Sequence, residues 1–533
     1  MKNFLSFLIL LLILTACSFS NSTAGVPGTL DSSFAANGMQ ILTPSTGFEN
    51  ANDLVILPDN KIVSVGFTTG ALGDWDIAVF RLLQNGAVDS TFGVNGFTIF
   101  DIAGNYDYGN AIYWLDDGKL LIAGGATLPN WADIDYFVAR LNEDGSLDET
   151  FGTNGITQIH TDGGEDLFYS IAVQPDGKIV LAGQDNVGGF TYMNGALMRL
   201  NEDGSIDETF GDDGMVITDI DYDYSQFRDL ILNEDGSIMA AGSCANDKYD
   251  ILLAKYDSDG QPDAGFGDGG IKVLNLNTGT DDAFAIIRHP IDGRILVGGR
   301  IGHGSSKTDL LLMAVNESGD PDSSFAENGL AVLDIKAMEA FTDMTVQENG
   351  KIVLCGSSGG TGLGSNDWTI ARFNEDGTID STFGESGGYT ITEAGSFFSE
   401  AEAVAIQSTG RIITVGIAAN DNNDMGILAY YGDDIATGIG AIQTSGNSAV
   451  SVFPNPTSGA FTLTLNTDEN MEGDVHAQII NQVGQIVYEH SAEVQRGSFT
   501  QEFNENIIAQ SGMYVVKVIA GAKEFTGKLL IEK

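Results

Sequence analysis

Basic residues are scarce in this sequence: 24 Lys and Arg stand against 74 Asp and Glu in 533 residues, a formal charge of −50 at pH 7. Such a surface is anionic nearly everywhere and repels the phosphate backbone of nucleic acids, so we expect no nucleic-acid partner. The balance suits an extracellular or cell-surface protein and would attract Ca²⁺, although solubility alone accounts for the same composition.

Cysteine is also rare, with copies at Cys17, Cys244 and Cys355 only. The last two fall in different repeat units, described below, so we expect no disulfide framework and predict that both are small core residues.

Recognisable catalytic motifs are absent as well. The five histidines are scattered without the spacing of a metal site or of a nucleophile partner, at His160, His289, His303, His476 and His490. The sequence holds no HExxH or P-loop motif, and carboxylates are so abundant that no glycosidase-like pair stands out. The sequence therefore names no catalytic residue and no cofactor; it favours a non-enzymatic protein but leaves the question open.

One long hydrophobic run occurs near the N-terminus, where Lys2 precedes the apolar stretch 4–14. This run is too short to span a bilayer stably and predicts a signal peptide. The stretch Leu14-Thr15-Ala16-Cys17 is similar to a bacterial lipobox, so residues 1–17 form the predicted signal peptide and Cys17 is the candidate lipidation site of an outer-membrane lipoprotein. The alternative is ordinary cleavage, for example after Ala24, which discards Cys17 with the leader.

An internal repeat dominates the rest of the chain. The motif Asp-x-x-Phe-x-x-x-Gly occurs seven times at intervals of 56 to 59 residues, with its aromatic residue at Phe34, Phe92, Phe151, Phe210, Phe266, Phe325 and Phe383. A period this regular indicates one supersecondary unit repeated along the chain.

Each unit reads as four short strands separated by turn residues. In the third unit the strands are predicted at 155–160, 169–174, 178–183 and 196–200, with a hairpin turn at Pro175-Asp176-Gly177. Repeats of this kind favour an all-β, seven-bladed β-propeller with four strands per blade over residues 29–431, in which the repeated Phe inserts between blades. A linear β-solenoid is the alternative, but the last unit ends at Tyr431 without a polar capping segment.

A second repeated residue opens the fourth strand of each unit. It is Asn194 once and aspartate elsewhere, at Asp76, Asp135, Asp250, Asp309, Asp367 and Asp424. A short side chain that accepts backbone N–H bonds at a strand end explains this position better than a ring of metal ligands does. A separate Ca²⁺ candidate is the alternating trio Asp219, Asp221 and Asp223, although it lacks the Gly and Glu of an EF-hand loop, and a solvated strand face is favoured there.

The repeats resemble the delta-60 family of bacterial β-propeller repeats. The stretches Leu147-Asp-Glu-Thr-Phe-Gly152 and Pro175-Asp-Gly-Lys-Ile-Val-Leu-Ala-Gly183 carry the resemblance, which spans about Thr29 to Tyr431. Some copies drift, since Ala35 and Ala326 replace the Gly after Phe and Gly265 precedes Phe266. The resemblance implies the propeller fold and no particular substrate.

A linker rich in Gly, Ser, Thr and Asn runs over 432–449, and the repeat then stops. Residues 450–533 alternate in the manner of strands and predict a small immunoglobulin-like β-sandwich. This tail resembles the type A sorting domain of type IX secretion cargo, on the residues Pro454, Asn455, Pro456, Thr457, Gly459, Asn481, Gly484, Gln485, Gly512, Tyr514, Lys517 and Lys533.

That resemblance implies export across the outer membrane of a Bacteroidetes-type bacterium, with the type IX secretion machinery as partner and cleavage of the tail on arrival. The alternative is an unrelated immunoglobulin-like module. We therefore expect a secreted or cell-surface protein, or an outer-membrane lipoprotein if Cys17 is acylated.

Two functions remain open. The first is a non-enzymatic binding or adhesion module for a glycan or protein, with rim aromatics at Trp75, Trp131, Tyr192 and Trp368 as platforms, unless these are ordinary core residues. The second is a surface hydrolase or lyase acting on polysaccharide or peptide, which requires carboxylates of perturbed pKa converging in the central channel.

Overall fold

A computed structural model describes residues 25–433 and 449–531, apart from short stretches. The stretches left out are 71–72, 103, 129–132, 162–163, 187–191, 221–223, 246–247, 277–278, 304–306, 361–365, 420–421, 454–460, 467–472, 481–485, 495–497, 504–511 and 521–522. The chain divides into two compact units, Met1–Asp433 and Asp434–Lys533. The described residues form strands and turns, and no helix among them is long and apolar enough to cross a membrane.

The strands of the first unit follow the chain in a regular order. They are β1 (Met39–Leu42), β2 (Glu49–Ile56), β3 (Ile62–Thr69), β4 (Trp75–Leu82), β5 (Phe97–Phe100), β6 (Asp107–Trp114), β7 (Leu120–Thr127), β8 (Ile134–Leu141), β9 (Ile156–Ile159), β10 (Leu167–Val173), β11 (Ile179–Asn186), β12 (Met193–Leu200), β13 (Met215–Thr218), β14 (Tyr224–Leu232), β15 (Ile238–Ala245), β16 (Tyr249–Tyr256), β17 (Ile271–Leu274), β18 (Asp282–Arg288), β19 (Ile295–Gly302), β20 (Thr308–Val315), β21 (Leu330–Leu333), β22 (Met338–Val346), β23 (Ile352–Gly359), β24 (Asp367–Phe373), β25 (Tyr389–Thr392), β26 (Ser399–Ile406), β27 (Ile412–Ala419) and β28 (Asn423–Tyr430).

These strands pair in antiparallel arrays of four, such as β2 to β5 and β6 to β9. The strand nearest the centre of each array contacts its counterpart in the next array, and the last of these, β26, contacts the first, β2. The N-terminal strand β1 pairs with β28 and completes the final array, with Met39 opposite Leu428. The arrays therefore close into a ring as a β-propeller, and the linear solenoid is excluded.

The sequence unit and the structural array are out of phase by one strand. The segment 155–160 was expected to be the first strand of the third unit, but β9 pairs with β8 and is the outermost strand of the preceding array. The reason is that the Asp-x-x-Phe turn carries the chain from β8 into β9, so the motif closes an array instead of opening one. The other three predicted strands of that unit correspond to β10, β11 and β12.

The Asp-x-x-Phe motif holds neighbouring arrays together. Asp148 accepts hydrogen bonds from the N–H and Oγ1 of Thr150 at 3.1 and 2.6 Å, and its other oxygen lies 2.7 Å from Arg140 Nε. The Arg140 guanidinium then covers the ring of Phe151 at 4.7 Å from its centroid. Phe151 is fully buried in a cluster that combines side chains of β7 and β8 with side chains of β10 and β11.

The same arrangement recurs around the ring. All seven motif phenylalanines are at most 1% exposed. An arginine covers the ring at Phe34, Phe92, Phe210, Phe325 and Phe383 as well. Cys244 and Cys355 are buried and unbridged, which confirms their prediction as core residues.

The second unit contains two antiparallel sheets. One consists of β29 (Ala449–Phe453), β30 (Phe461–Asn466) and β33 (Ser498–Phe503), and the other of β31 (Gly473–Ile480), β32 (Ile486–Val494), β34 (Gly512–Ala520) and β35 (Lys523–Ile531). The Phe461 and Phe503 rings stack at 4.8 Å, and Tyr488 of the other sheet meets Phe503 edge-on at 5.7 Å. The two sheets thus face each other as a small sandwich.

We expect Asp148→Asn to lower the free energy of unfolding by about 3 kcal/mol at pH 7, because Arg140 is left buried without its carboxylate. The Asp148 hydrogen bonds to Lys119, Thr150 and Arg140 outweigh the cost of burial and hold the pKa of that carboxyl well below its usual range. The contribution of the Asp148 carboxylate to the free energy of unfolding is therefore fully present above about pH 4 and is lost as the pH falls further. Urea unfolding measured at pH 7 and at pH 3 checks both statements.

The matched control is Asp144→Asn in the preceding turn, since Asp144 is exposed and bonds only Ser146 in the same turn. We expect a much smaller change there. Equal losses in the two variants would contradict the role assigned to the Asp148–Arg140 pair.

Candidate functional site in the central channel

A β-bulge interrupts every innermost strand of the described ring. In β10 the register with β11 shifts between Phe168 and Ser170, so Tyr169 is the extra residue. The extra residues of all the innermost strands are Asn52, Asn110, Tyr169, Arg228, Phe284, Thr342 and Glu402. A bulge bends its strand and re-aims the extra side chain, so each repeat directs one side chain away from the regular alternation.

A glycine on the second strand makes room for each bulge. A Cβ on Gly183 would overlap the carbonyl oxygen of Leu167, which precedes the bulge on β10. The same overlap with the facing carbonyl would occur at Gly66, Gly124, Gly242, Gly299, Gly356 and Gly416. The last glycine of the Lys-Ile-Val-Leu-Ala-Gly stretch is therefore required by the bulge and not by the hairpin turn.

The extra residues meet at the centre of the ring, where they line a cavity of about 270 Å³. Three of them also bind the next innermost strand. Asn52 Nδ2 donates to Gly109 O at 2.9 Å, Asn110 Nδ2 to Phe168 O at 3.0 Å, and Thr342 Oγ1 to Ala401 O at 2.7 Å. These bonds satisfy carbonyls that the bulges leave outside the strand ladder.

Aspartates follow three of the extra residues and connect adjacent arrays. Asp53 accepts the N–H of Ile112 at 2.8 Å, Asp229 that of Ile286 at 2.8 Å, and Asp343 that of Val404 at 2.8 Å. The second oxygen of each accepts the N–H of the next residue in its own strand. Both oxygens of all three carboxyls are therefore occupied by backbone donors.

Burial in the channel wall raises the pKa of these carboxyls. The pKa of Asp53 rises to about 7, chiefly because burial disfavours the charged form, with a further contribution from the charge of Asp229. Burial also raises the pKa of Asp229, and it raises that of Asp343 well above its usual range, where the charges of Asp53 and Asp229 add to the effect. Carboxyls of perturbed pKa do converge in the channel, as the hydrolase hypothesis requires.

Two glutamates extend this acidic group along β26. Burial raises the pKa of Glu402 to about 8, and the neighbouring Glu400 adds to this, while Asn50 and Arg228 act in the opposite direction. Glu400 Oε1 accepts a hydrogen bond from Ser357 Oγ at 2.9 Å, and burial raises its pKa as well. Glu402 is therefore mostly protonated at neutral pH and can donate a hydrogen bond or a proton into the cavity.

Arg228 is the basic residue that lines this cavity. Its guanidinium lies 4.2 Å from the ring centroid of Tyr169 and 6.0 Å from that of Phe284. Its Nε is buried without a hydrogen-bond partner among the described residues. A planar cation flanked by two aromatic rings, with an unused donor, is suited to bind a carboxylate or another polar group.

The predicted rim aromatics lie in different environments. Trp368 is fully buried, with its Nε1 donating to Thr414 Oγ1 at 3.0 Å, so the prediction of a ligand platform there is wrong. Its strand β24 pairs with β23 and β25, and the large ring packs against side chains of β26, β27 and β28 in the next array. Trp75 stacks on Phe67 at 4.3 Å, and Tyr192 is 53% exposed. Trp131 lies outside the described residues.

Other predicted site residues are largely untested. Asp219 is exposed, while Asp221 and Asp223 lie outside the described residues, as does Cys17. Of the sorting-signal residues, Tyr514 is 7% exposed and lies with Lys517 and Gly512 on β34, and the remainder fall outside the described residues.

The ring of extra residues was missed in the sequence, although a signal for it exists. Each extra residue precedes the bulge glycine by fourteen positions, as Tyr169 precedes Gly183, except that the interval from Phe284 to Gly299 is fifteen. The repeats agree at the glycine and differ at the extra residue. A position that varies within a constant frame is the expected place for specificity.

Comparison with known families assigns both units. Residues 451–532 match the family model described as a secretion system C-terminal sorting domain. Segments at 57–92, 115–151, 174–210, 234–266, 292–325 and 347–383 match a domain of unknown function (DUF5122) described as a beta-propeller. The chain is therefore a propeller with a type IX sorting tail, which implies secretion or attachment to the cell surface, while the delta-60 assignment stays a prediction.

Solved structures add little. PorZ, a surface component of the type-IX secretion system of Porphyromonas gingivalis, matches at 10% identity over 93% of this chain and 100% of its own, with a TM-score of 0.16. The acylaminoacyl peptidase of Pyrococcus horikoshii matches at 11% identity over 79% and 58%, with a TM-score of 0.35. The GH32 β-fructofuranosidase BmSUC1 of Bombyx mori matches at 11% identity over 79% and 87%, with a TM-score of 0.27. No curated protein matches, and scores this low carry no argument about function.

The raised pKa of Glu402 predicts a pH dependence of stability. Because the folded state binds the proton more tightly than the unfolded chain does, wild-type stability should fall as the pH rises from about 4.5 to about 8. Glu402→Gln mimics the protonated form and does not titrate. We expect it to be close to the wild type at pH 5 and to exceed it by about 4 kcal/mol at pH 8.5 in thermal or urea unfolding.

The control is Glu385→Gln, which alters an exposed turn residue. It should follow the wild-type pH profile. Identical profiles for Glu402→Gln and the wild type would contradict the assignment of a protonated Glu402.

Proposed function

We propose that this chain is an exported, non-enzymatic binding protein whose seven-bladed propeller takes a ligand at the central channel. The observation that carries the proposal is the ring of bulge residues. Every repeat keeps the glycine and the bulge, yet the side chain placed in the cavity is Asn, Asn, Tyr, Arg, Phe, Thr and Glu in turn. A constant scaffold that presents varied side chains from its repeats is suited to recognition.

The chemistry of the cavity favours a carboxylate-bearing ligand. Arg228 supplies a positive charge and an unused donor, and Tyr169 beside it offers an aromatic face. Glu402, mostly protonated at neutral pH, can donate to a second oxygen of the ligand. A uronic acid of a glycan and the terminal carboxylate of a peptide both meet these requirements.

The three channel aspartates support a binding role over a catalytic one. Each of Asp53, Asp229 and Asp343 has both oxygens bonded to backbone N–H groups, so a role as nucleophile or general base would break contacts between arrays. Burial raises their pKa values, and the carboxyls are buried there because the bulges leave N–H groups that need an acceptor.

A second candidate function is a hydrolase or lyase acting on polysaccharide or peptide. The observation that favours it is Glu402, whose pKa of about 8 suits a general acid at neutral pH. Glu400 is its neighbour on β26 and would act as the second carboxylate. In that case turnover, and not only binding, depends on these two residues.

We expect Arg228→Gln to lower the affinity for carboxylate ligands at least about tenfold, since a charge-assisted hydrogen bond is lost. The measurement is calorimetric titration of the purified full-length protein with uronic-acid oligosaccharides and with peptides carrying a free C-terminus. Carboxyl-reduced oligosaccharides and C-terminally amidated peptides should bind no better to the wild type than to the variant. Whichever series shows the difference identifies the source of the carboxylate.

The matched control is Arg288→Gln, which removes an arginine outside the cavity. It should bind as the wild type does. Binding that is unaffected by Arg228→Gln would overturn the channel site, and product release that disappears in Glu402→Gln would establish the second candidate function.

The export part of the proposal concerns the boundaries of the tail. We propose residues 29–431 as the propeller, 432–449 as the linker and 450–533 as the sorting domain, with 1–17 as the leader. A chain that ends at 449 should remain inside the native host, because the sorting region is removed. Fractionation of supernatant, outer membrane and periplasm with intact-mass analysis makes the measurement.

A deletion of 434–448 that keeps the tail is the control and should still be exported. Export of the chain ending at 449 would refute the assignment of the tail. Intact mass also reports on the leader, because acylation of Cys17 adds the mass of a lipid, whereas cleavage after Ala24 removes the residue.

A further inference from the structure

Three carboxylates meet at the junction between the arrays of β20 and β22. Asp309 is the second residue of β20, Asp334 follows β21, and Glu339 is the second residue of β22. One oxygen from each lies within 4.8 Å of those of the other two. Oxygens that surround one Ca²⁺ at about 2.3–2.6 Å are separated by at most about 5 Å, so the spacing fits this ion.

Two of the three carboxylates are buried, and one oxygen of Glu339 is left without a partner in the described part of the chain. Glu339 is 2% exposed, and its Oε2 has no hydrogen-bond partner among the described residues. Its Oε1 is held by the N–H of Lys336. Asp309 is 5% exposed, and its buried Oδ1 is contacted by the ammonium of Lys307 at 3.3 Å. Burying charged oxygens without partners is costly unless a cation compensates them.

Lys307 supplies a positive charge to this group, but it reaches only part of it. Lys307 Nζ lies 2.7 Å from Asp334 Oδ2 and 3.3 Å from Asp309 Oδ1, so these oxygens point to a common centre. No basic side chain of the described residues forms an ion pair with Glu339. The Lys307 side chain is 39% exposed and long, so its ammonium group can move into solvent if a metal ion occupies the centre.

We propose that Asp309, Asp334 and Glu339 form a Ca²⁺ site that joins the two arrays, with Lys307 as a competitor for the same position. Water completes the coordination from the side of Asp334, whose side chain is 58% exposed. His303 contacts the opposite oxygen of Asp309 at 3.0 Å and fixes its orientation. Ca²⁺ accepts an irregular set of oxygens, whereas Mg²⁺ requires shorter and more regular contacts, so Ca²⁺ is the better fit.

An equivalent junction supports the assignment. Glu49 is the first residue of β2 and Glu339 the second of β22, and Glu49 Oε2 is also buried without a hydrogen-bond partner among the described residues. Ser45 of the preceding loop donates to the other oxygen of Glu49, as the backbone of Lys336 does for Glu339. In both places an aspartate on the third strand of the preceding array, Asp424 or Asp309, lies near the glutamate.

The test is calorimetric titration of the chelator-treated full-length protein with CaCl₂, together with thermal unfolding with and without Ca²⁺. The wild type should bind Ca²⁺ and unfold at a higher temperature when it is present. Glu339→Gln should weaken binding at this site about tenfold or more, which removes one equivalent from the titration, because one charged ligand is lost. Lys307→Met should tighten binding about tenfold, because the competing ammonium is gone.

Glu385→Gln provides the control for a lost carboxylate and should leave the titration unchanged. Far-UV circular dichroism verifies the fold of each variant, and Lys307→Met keeps the test open even if Glu339→Gln does not fold. Weaker binding in Lys307→Met, or equal Ca²⁺ binding by Glu339→Gln and the wild type, would overturn the site. So would the absence of any Ca²⁺ effect on the wild type, which would leave Glu339 as a protonated side chain.

Discussion

The close approach of two backbones at each bulge is the constraint on which the rest of the ring depends. Because the carbonyl before the bulge occupies the place of a Cβ, the facing residue of the second strand is glycine, as at Gly183 opposite Phe168. The bulge bends the innermost strand and turns one side chain toward the channel. It also removes backbone groups from the ladder, and these must find partners elsewhere. The channel chemistry therefore follows from a requirement of the backbone.

The partners of those backbone groups explain why the channel is both polar and acidic. Asn52 and Asn110 supply donors to free carbonyls of the next strand, and Asp53, Asp229 and Asp343 supply acceptors for free N–H groups. Carboxyls placed there for structural reasons acquire raised pKa values chiefly from burial. Perturbed pKa values are thus a weak sign of catalysis in this fold, and the residues that we propose bind a ligand, Arg228 and Glu402, are ones that do not serve these backbone groups.

Much of the fold could be predicted from the sequence because local rules and the period agree. The Asp-x-x-Phe turn is set by contacts within a few residues, such as Asp148 with Thr150, and is visible in every copy. The phase of the arrays was not visible, since β9 pairs with β8 across the turn and only long-range pairing decides which array a strand joins. The channel site was missed for a related reason. Tyr169, Arg228 and Phe284 are far apart in sequence and share only a position relative to the bulge glycine. Trp368 is of a residue type common in binding sites, yet it lies in the core.

Acidic residues far outnumber basic ones, so the buried carboxylates of the ring cannot all pair with a basic side chain. With 24 basic residues for 74 acidic ones, the chain can pair only some of them. It places arginines at the Phe motifs. Arg140, for example, forms an ion pair with Asp148 and also covers the ring of Phe151. In the channel, backbone donors and protonation replace the missing bases. At the junction of Asp309 and Glu339 neither solution is complete, because the loop backbone satisfies one oxygen of Glu339 and Lys307 reaches only the other two carboxylates. A divalent cation from outside the cell is the compensation that remains, and it would make the cohesion of these arrays depend on the medium into which the sorting tail delivers the protein.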